Sequence, residues 1–141
     1  MARAASGVLA LGPLAAATAK GTADRKRTGY VFDERFLEYR RPGMHPETPE
    51  RLRALNQRVV TTGLLDSMTP LPLHGDPMQH VPLIHTAEHI EAVTKIAQMG
   101  EAAPLSVAGT LAGVDAVCAG TVRNAFCAIR PPGHHSRNTK R

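Results

Sequence analysis

The sequence has no tryptophan, and only three phenylalanines and two tyrosines among 141 residues. So few aromatic rings leave an apolar core to Ala, Leu, Val and Ile. They also leave no rings between the basic residues on which the bases of a single strand could stack. The net charge is +5, but the basic residues are scattered apart from Arg25-Lys26-Arg27, Arg40-Arg41 and the segment Arg137 to Arg141. No specific nucleic-acid binding is therefore expected. The two cysteines, Cys118 and Cys127, form neither a disulfide framework nor a zinc-ligand spacing. Both lie in apolar runs and are expected as buried free thiols in a reducing compartment. No apolar run is long enough for a membrane span. No repeat is visible, which excludes solenoids.

What is present fits one modest domain. Hydrophobic residues make up 43% and charged residues 21%, an ordinary globular balance. Residues 1–27 stand apart as an extension. Val8 to Ala19 is apolar and Ala-rich, follows Arg3, and ends in Ala17-Thr18-Ala19, the outline of a secretory signal peptide. Gly12 and Pro13 interrupt it, so a cytoplasmic location is expected, with export as the alternative.

Residues 28–141 read as an alternation of strands and helices. Thr28 to Phe32 is β-branched and aromatic, a strand signal. Pro42-Gly43 marks a turn. Thr48-Pro49-Glu50 is a helix start, followed by Leu52, Leu55 and Val59 on one face and closed by Gly63. Met68 to Leu73 holds two prolines and is restricted to an edge strand or extended link. His80 to His85 is a short apolar run read as strand-like. Thr86 then caps a helix with Ile90, Val93, Ile96 and Ala97 on one face, ending at Gly100. A small-residue helix is expected over Leu105 to Ala119, and a buried strand over Asn124 to Ile129. This order predicts an α/β fold with a parallel sheet.

In such sheets ligands sit outside the carboxyl ends of the strands. Arg130-Pro131-Pro132-Gly133-His134-His135 follows the last strand. Two prolines stiffen the loop and Gly133 permits a tight bend. Two adjacent imidazoles can take one proton and give another near neutral pH. His134 and His135 are the candidate catalytic residues. Arg130, Pro131, Pro132 and Gly133 are the candidate substrate-rim loop.

The hexapeptide resembles the active-site signature of the histone deacetylase family, which includes acetylpolyamine amidohydrolases and acetoin-utilisation proteins. Three further segments match in order: Gly29 to Asp33, His45-Pro46-Glu47-Thr48-Pro49-Glu50-Arg51-Leu52, and His85-Thr86-Ala87-Glu88-His89-Ile90. The matches span residues 29–135 and are closest to the bacterial and class II branch. The resemblance implies an arginase-like α/β fold and zinc-dependent hydrolysis of an acetylated amine, either acetyl-lysine in a protein or a small acetylated amine. It gives His134 and His135 the acid–base work beside a zinc-bound water.

Three features depart from the family pattern. Its zinc ligands, an Asp-x-His pair and a later Asp, lie downstream of the signature and have no counterpart here. Around Ala102-Ala103-Pro104-Leu105 a short Gly/Pro/aromatic segment is missing. His89 stands where the family has Tyr. The expectation is a partial arginase-like domain, cut short, inactive alone and holding no zinc. A non-catalytic binding fragment, paired with itself or a second chain, and a gene remnant are the alternatives.

His85 to His89 also fits the His-x-x-Glu-His pattern of inverted zincins. That reading needs His85 on the helix and a third ligand. His45 and Glu47 are expected in a rim loop or as helix caps, His74 and His80 as solvated loop residues, and Asp115 as a surface acid.

Overall fold

A computed structural model describes residues 27–41, 43–96, 99–134 and 136–139. The signal-like segment up to residue 26, Pro42 of the expected turn, Ala97 and His135 lie outside the described residues.

Among the described residues three strands form one parallel sheet. They are β1 (Thr28–Val31), β2 (Met68–Pro70) and β3 (Asn124–Cys127), in the order β2-β1-β3. Thr28 stands opposite both Met68 and Asn124, so the register is set from the first residue of β1. Among the described residues three α-helices accompany the sheet: α1 (Pro49–Thr61), α2 (Ala87–Thr94) and α3 (Met99–Cys118).

Successive side chains of a strand point to opposite faces, and β1 uses both. The Tyr30 hydroxyl donates to Asn56 Oδ1 of α1 at 2.9 Å. The next residue, Val31, is turned towards α3, where a Cβ placed on Gly109 would lie 3.4 Å from its Cγ1. Helices on both faces of a parallel sheet are the layered α/β arrangement. The core consists of Tyr30, Val31, Phe36, Leu52, Val59, Ala112 and Ala128.

The few aromatic residues carry more of this core than their number suggests. Val31 and Phe36 are the largest fully buried side chains, and Tyr30 and Tyr39 are buried beside them. Phe126 stacks on Tyr30 with centroids 6.0 Å apart. The expectation of an aliphatic core held only in part, because all five rings fall on β1, on β3 and in the segment just after β1.

Three element boundaries differ from the sequence reading. His80 to His85 is not strand-like: it holds the single-turn 3₁₀ helix Val81–Leu83, which follows another at Pro77–Gln79. Pro77 and Pro82 fix φ near helical values and remove donors that a strand would need. Gly100 does not end a helix: it lies inside α3, which begins at Met99. The break comes earlier, at Lys95 and Ile96, where the Ile96 carbonyl accepts from Met99 and Gly100 at 3.1 and 3.2 Å. Glycine is needed there because a Cβ on Gly100 would stand 2.6 Å from the Thr94 carbonyl oxygen. Pro104 sits inside α3, so the hydrogen bond from position 104 to the Gly100 carbonyl cannot form.

Two side chains also differ. Leu55 is exposed, and Asn56 joins Leu52 and Val59 on the packed face of α1. The spacing i, i+4, i+7 keeps residues 52, 56 and 59 on one side, with 55 at its margin. Cys118 is exposed and Cys127 half-buried; both are free. Cys118 ends α3 and faces solvent, so its apolar sequence neighbours were not a guide to its burial. β3 is likewise half-buried rather than buried, with Asn124 and Phe126 exposed.

Candidate active site

The loop after β3 leaves the carboxyl end of the strand, and its first residue turns inward. Arg130 is 4% exposed. Its guanidinium donates from Nε and Nη2 to the two carboxylate oxygens of Glu47, the second at 3.0 Å. Nη1 donates to the carbonyls of Phe36 at 3.1 Å and Tyr39 at 3.0 Å. The guanidinium carbon also lies 5.4 Å from the centre of the Tyr39 ring, within cation–π range. A planar fork matches a carboxylate two bonds at a time, and the two Nη1 donors find backbone acceptors. A buried charge is tolerated only when paired in this way.

Glu47 is held in its turn. Its backbone N–H donates to His45 Nδ1 at 3.0 Å, which fixes Nδ1 as the unprotonated ring nitrogen. His45 and Glu47, expected at a rim or as caps, therefore form the receiving end of the Arg130 clamp.

The rest of the loop is anchored at two further points. The Ser106 hydroxyl of α3 donates to the Pro131 carbonyl at 2.6 Å, and Ser106 is buried. The Arg130–Pro131 peptide is cis. Beyond the histidines, His85 Nδ1 bonds the Arg137 carbonyl at 2.9 Å. The Thr86 N–H donates to the Asn138 carbonyl at 3.1 Å. Between these anchors the Ser136 N–H donates to the Gly133 carbonyl at 2.8 Å, closing a turn in which Gly133 has a positive φ of 70°. Pro132, Gly133 and His134 are exposed, and Pro131 is half-buried. His134 stands on that turn.

The segments singled out in the sequence thus converge. β1 pairs with the strand that leads into the loop. The segment after His45 supplies Glu47. The segment at His85 supplies the far anchor. Sequence reasoning missed Glu47 as a partner of Arg130, and Ser106 altogether. The usable signal was an acid in one matched segment and a lone arginine in another; Ser106, in a run of small residues, gave none.

The zincin geometry is not formed. His85 precedes α2, whose cap is the Thr86 hydroxyl accepting from His89 N at 3.3 Å. The His85 and His89 rings lie 5.0 Å apart, with one nitrogen of His85 already engaged. His74 is not a lone solvated residue. Its Nε2 lies 3.0 Å from Asp115 Oδ2, and the hydrogen bond to Asp115, then that to the Pro72 carbonyl, raise its pKa. Among the described residues, no group of three His, Cys, Asp or Glu side chains could hold a metal ion. No helix among them is long and apolar enough to cross a membrane.

A parallel sheet with helices on both faces, and a polar loop leaving the carboxyl end of one strand, define an α/β protein. The histone deacetylase domain profile matches residues 95–141. Histone deacetylase 15 of Arabidopsis thaliana is 32% identical over 77% of this chain and 23% of its own length. Polyamine deacetylase HDAC10 of Danio rerio is 29% identical over 77% of this chain and 20% of its own. The crystal structure of the HDA15 HD domain superposes with a TM-score of 0.73 and 26% identity, covering 83% of this chain and 38% of that one. The profile match, the relatives and the fold all agree with the histone deacetylase family. It spans about a fifth of the length of the first two relatives.

Proposed function

We propose that the chain supplies the acid–base loop of a zinc-dependent deacetylase that hydrolyses an acetylated amine. His134 and His135 are its proton-transfer groups, and Pro131, Pro132 and Gly133 its substrate rim. The observation that carries this reading is the loop's triple anchorage, by Glu47, Ser106 and the His85–Thr86 pair. Amide hydrolysis removes a proton from water and delivers one to the departing amine. An imidazole can do both near neutral pH, and holding it still lowers the reorganisation each transfer needs. Relatives named for histones and for polyamines support either an acetyl-lysine side chain or a small acetylated amine as substrate.

The described residues do not fit a zinc ion: they offer no set of three ligands, and His85, the nearest candidate, is committed to the Arg137 carbonyl. No step through the metal is assigned to them. The reading is tested by incubating the chain with zinc, dialysing it, and measuring both zinc content and hydrolysis of an acetyl-lysine peptide and an acetylated polyamine. The expected result is no retained zinc and no turnover. Joined to a relative's segment carrying the Asp-x-His pair and the later Asp, the chain should turn over. His134→Ala and His135→Ala should then each lower kcat by about 100-fold or more, the usual worth of a general acid or base. Turnover that survives both substitutions would remove the histidines from the chemistry. One equivalent of zinc held by the chain alone would overturn the placement of the metal ligands elsewhere.

A further inference from the structure

The Arg130 clamp joins parts of the chain 83 or more residues apart. We propose that Glu47 is a positioning residue for the histidine loop, acting through the Arg130 guanidinium to fix where His134 stands. This inference rests on the reading of His134 as an acid–base group.

Four observations carry it. The Glu47 side chain is 19% exposed and that of Arg130 only 4%, so the pair is sheltered from competing water. Glu47 is presented in a set orientation, because its own N–H is bound by His45 Nδ1. The guanidinium is oriented at the same time by the Phe36 and Tyr39 carbonyls and by the Tyr39 ring, so it has one seat rather than several. Only Pro131, Pro132 and Gly133 separate Arg130 from His134, and Ser106 holds the Pro131 carbonyl. A short loop with two prolines and a fixed root has little freedom to move the residue at its tip. With Glu47 neutralised, Arg130 keeps its charge but loses its counter-ion, and the guanidinium is drawn towards water. The root of the loop moves with it.

A purely structural ion pair would loosen the whole domain when broken, whereas a positioning pair loosens the loop first. The two are separated by amide hydrogen exchange in the full chain. The first amide is Ser136, which closes the turn under His134; the second is Ala128, which bonds the Val31 carbonyl in the core. In Glu47→Gln the Ser136 amide should exchange about tenfold faster or more, the fold-change of one lost charge-assisted hydrogen bond. Ala128 should be unchanged, and the His134 ring resonances should shift. Glu47→Asp, which keeps the charge, should restore part of the protection. Equal acceleration at both amides, or none at Ser136, would overturn the proposal. If Glu47→Gln does not fold, Glu47→Asp is judged by the same two amides, and failure of both to fold would make the pair structural only and overturn it as well. These readouts need no turnover, so an absence of hydrolysis would count against the acid–base reading and leave the positioning result standing.

Discussion

Arg130 and Cys127 are three positions apart and illustrate how burial alters a side chain's chemistry. Arg130 stays charged inside the protein because a carboxylate and two carbonyls take its donors; a buried charge left unpaired costs several kcal/mol. Among the described residues Cys127 has no charged partner of that kind. Its sulfur lies against α3, and burial pushes its thiol up from the ordinary cysteine value. A raised pKa means less thiolate at any given pH, and the thiolate is the form that alkylates. At about pH 8, near the unperturbed cysteine value, iodoacetamide should modify exposed Cys118 first and Cys127 only slowly. Mass spectrometry of the digested protein reads the order directly. Equal rates at the two sites would mean that the packing of β3 on α3 opens in solution.

At the scale of elements, α3 is built for close approach rather than for bulk. Its buried positions are Ala102, Ser106, Ala108, Gly109, Ala112 and Gly113. A Cβ on Gly113 would stand 2.6 Å from Cys127 Sγ and 3.2 Å from Ala125 Cβ. Helix propensity alone would favour alanine over glycine by about 1 kcal/mol, while overpacking a filled interface costs about 1–3 kcal/mol. Cys127 Sγ ends a side chain only one carbon long, and Ala125 Cβ is fixed to its strand, so neither has much room to give and the second effect wins. Gly113→Ala should destabilise the protein by about 1–2 kcal/mol in denaturant titration, by the balance of those two effects. Adding Cys127→Ala should recover much of the loss, since neighbours in contact are not additive. A stabilised Gly113→Ala would show that the strand can retreat.

For the whole molecule, the two outer edges of the sheet are unequal. β2 carries Pro70 and is followed by Pro72, which discourages another strand from adding there. β3 has no such protection. Among the described residues nothing pairs with its outer edge, and Phe126 is 41% exposed on it. An unprotected edge bearing an aromatic ring promotes association between chains. Phe126→Lys should therefore lower the light scattering of concentrated protein, at the cost of the ring's stacking on Tyr30. Scattering unchanged by the substitution would place the association surface elsewhere.

The sequence by itself determined the period and order of the elements: β1, α1 with Thr48 and Pro49 at its start, the proline-limited β2, and the strand running into the histidine loop. Those features are local, set by backbone stereochemistry and by the spacing of apolar residues, and they can be read from neighbours in the chain. The ordered motifs also carried the resemblance to the histone deacetylase family. The tertiary structure alone decided which side chains meet. Arg130 faces Glu47 rather than a ligand, Asn56 rather than Leu55 is packed, Cys118 is exposed, and α3 starts at Met99. The first two depend on what a distant segment places against the residue, carbonyls at Phe36 and Tyr39 and the Tyr30 hydroxyl; the other two depend on solvent beyond the end of α3 and on the Thr94 carbonyl against Gly100. All four are set by packing in three dimensions, and no periodicity within a segment encodes them.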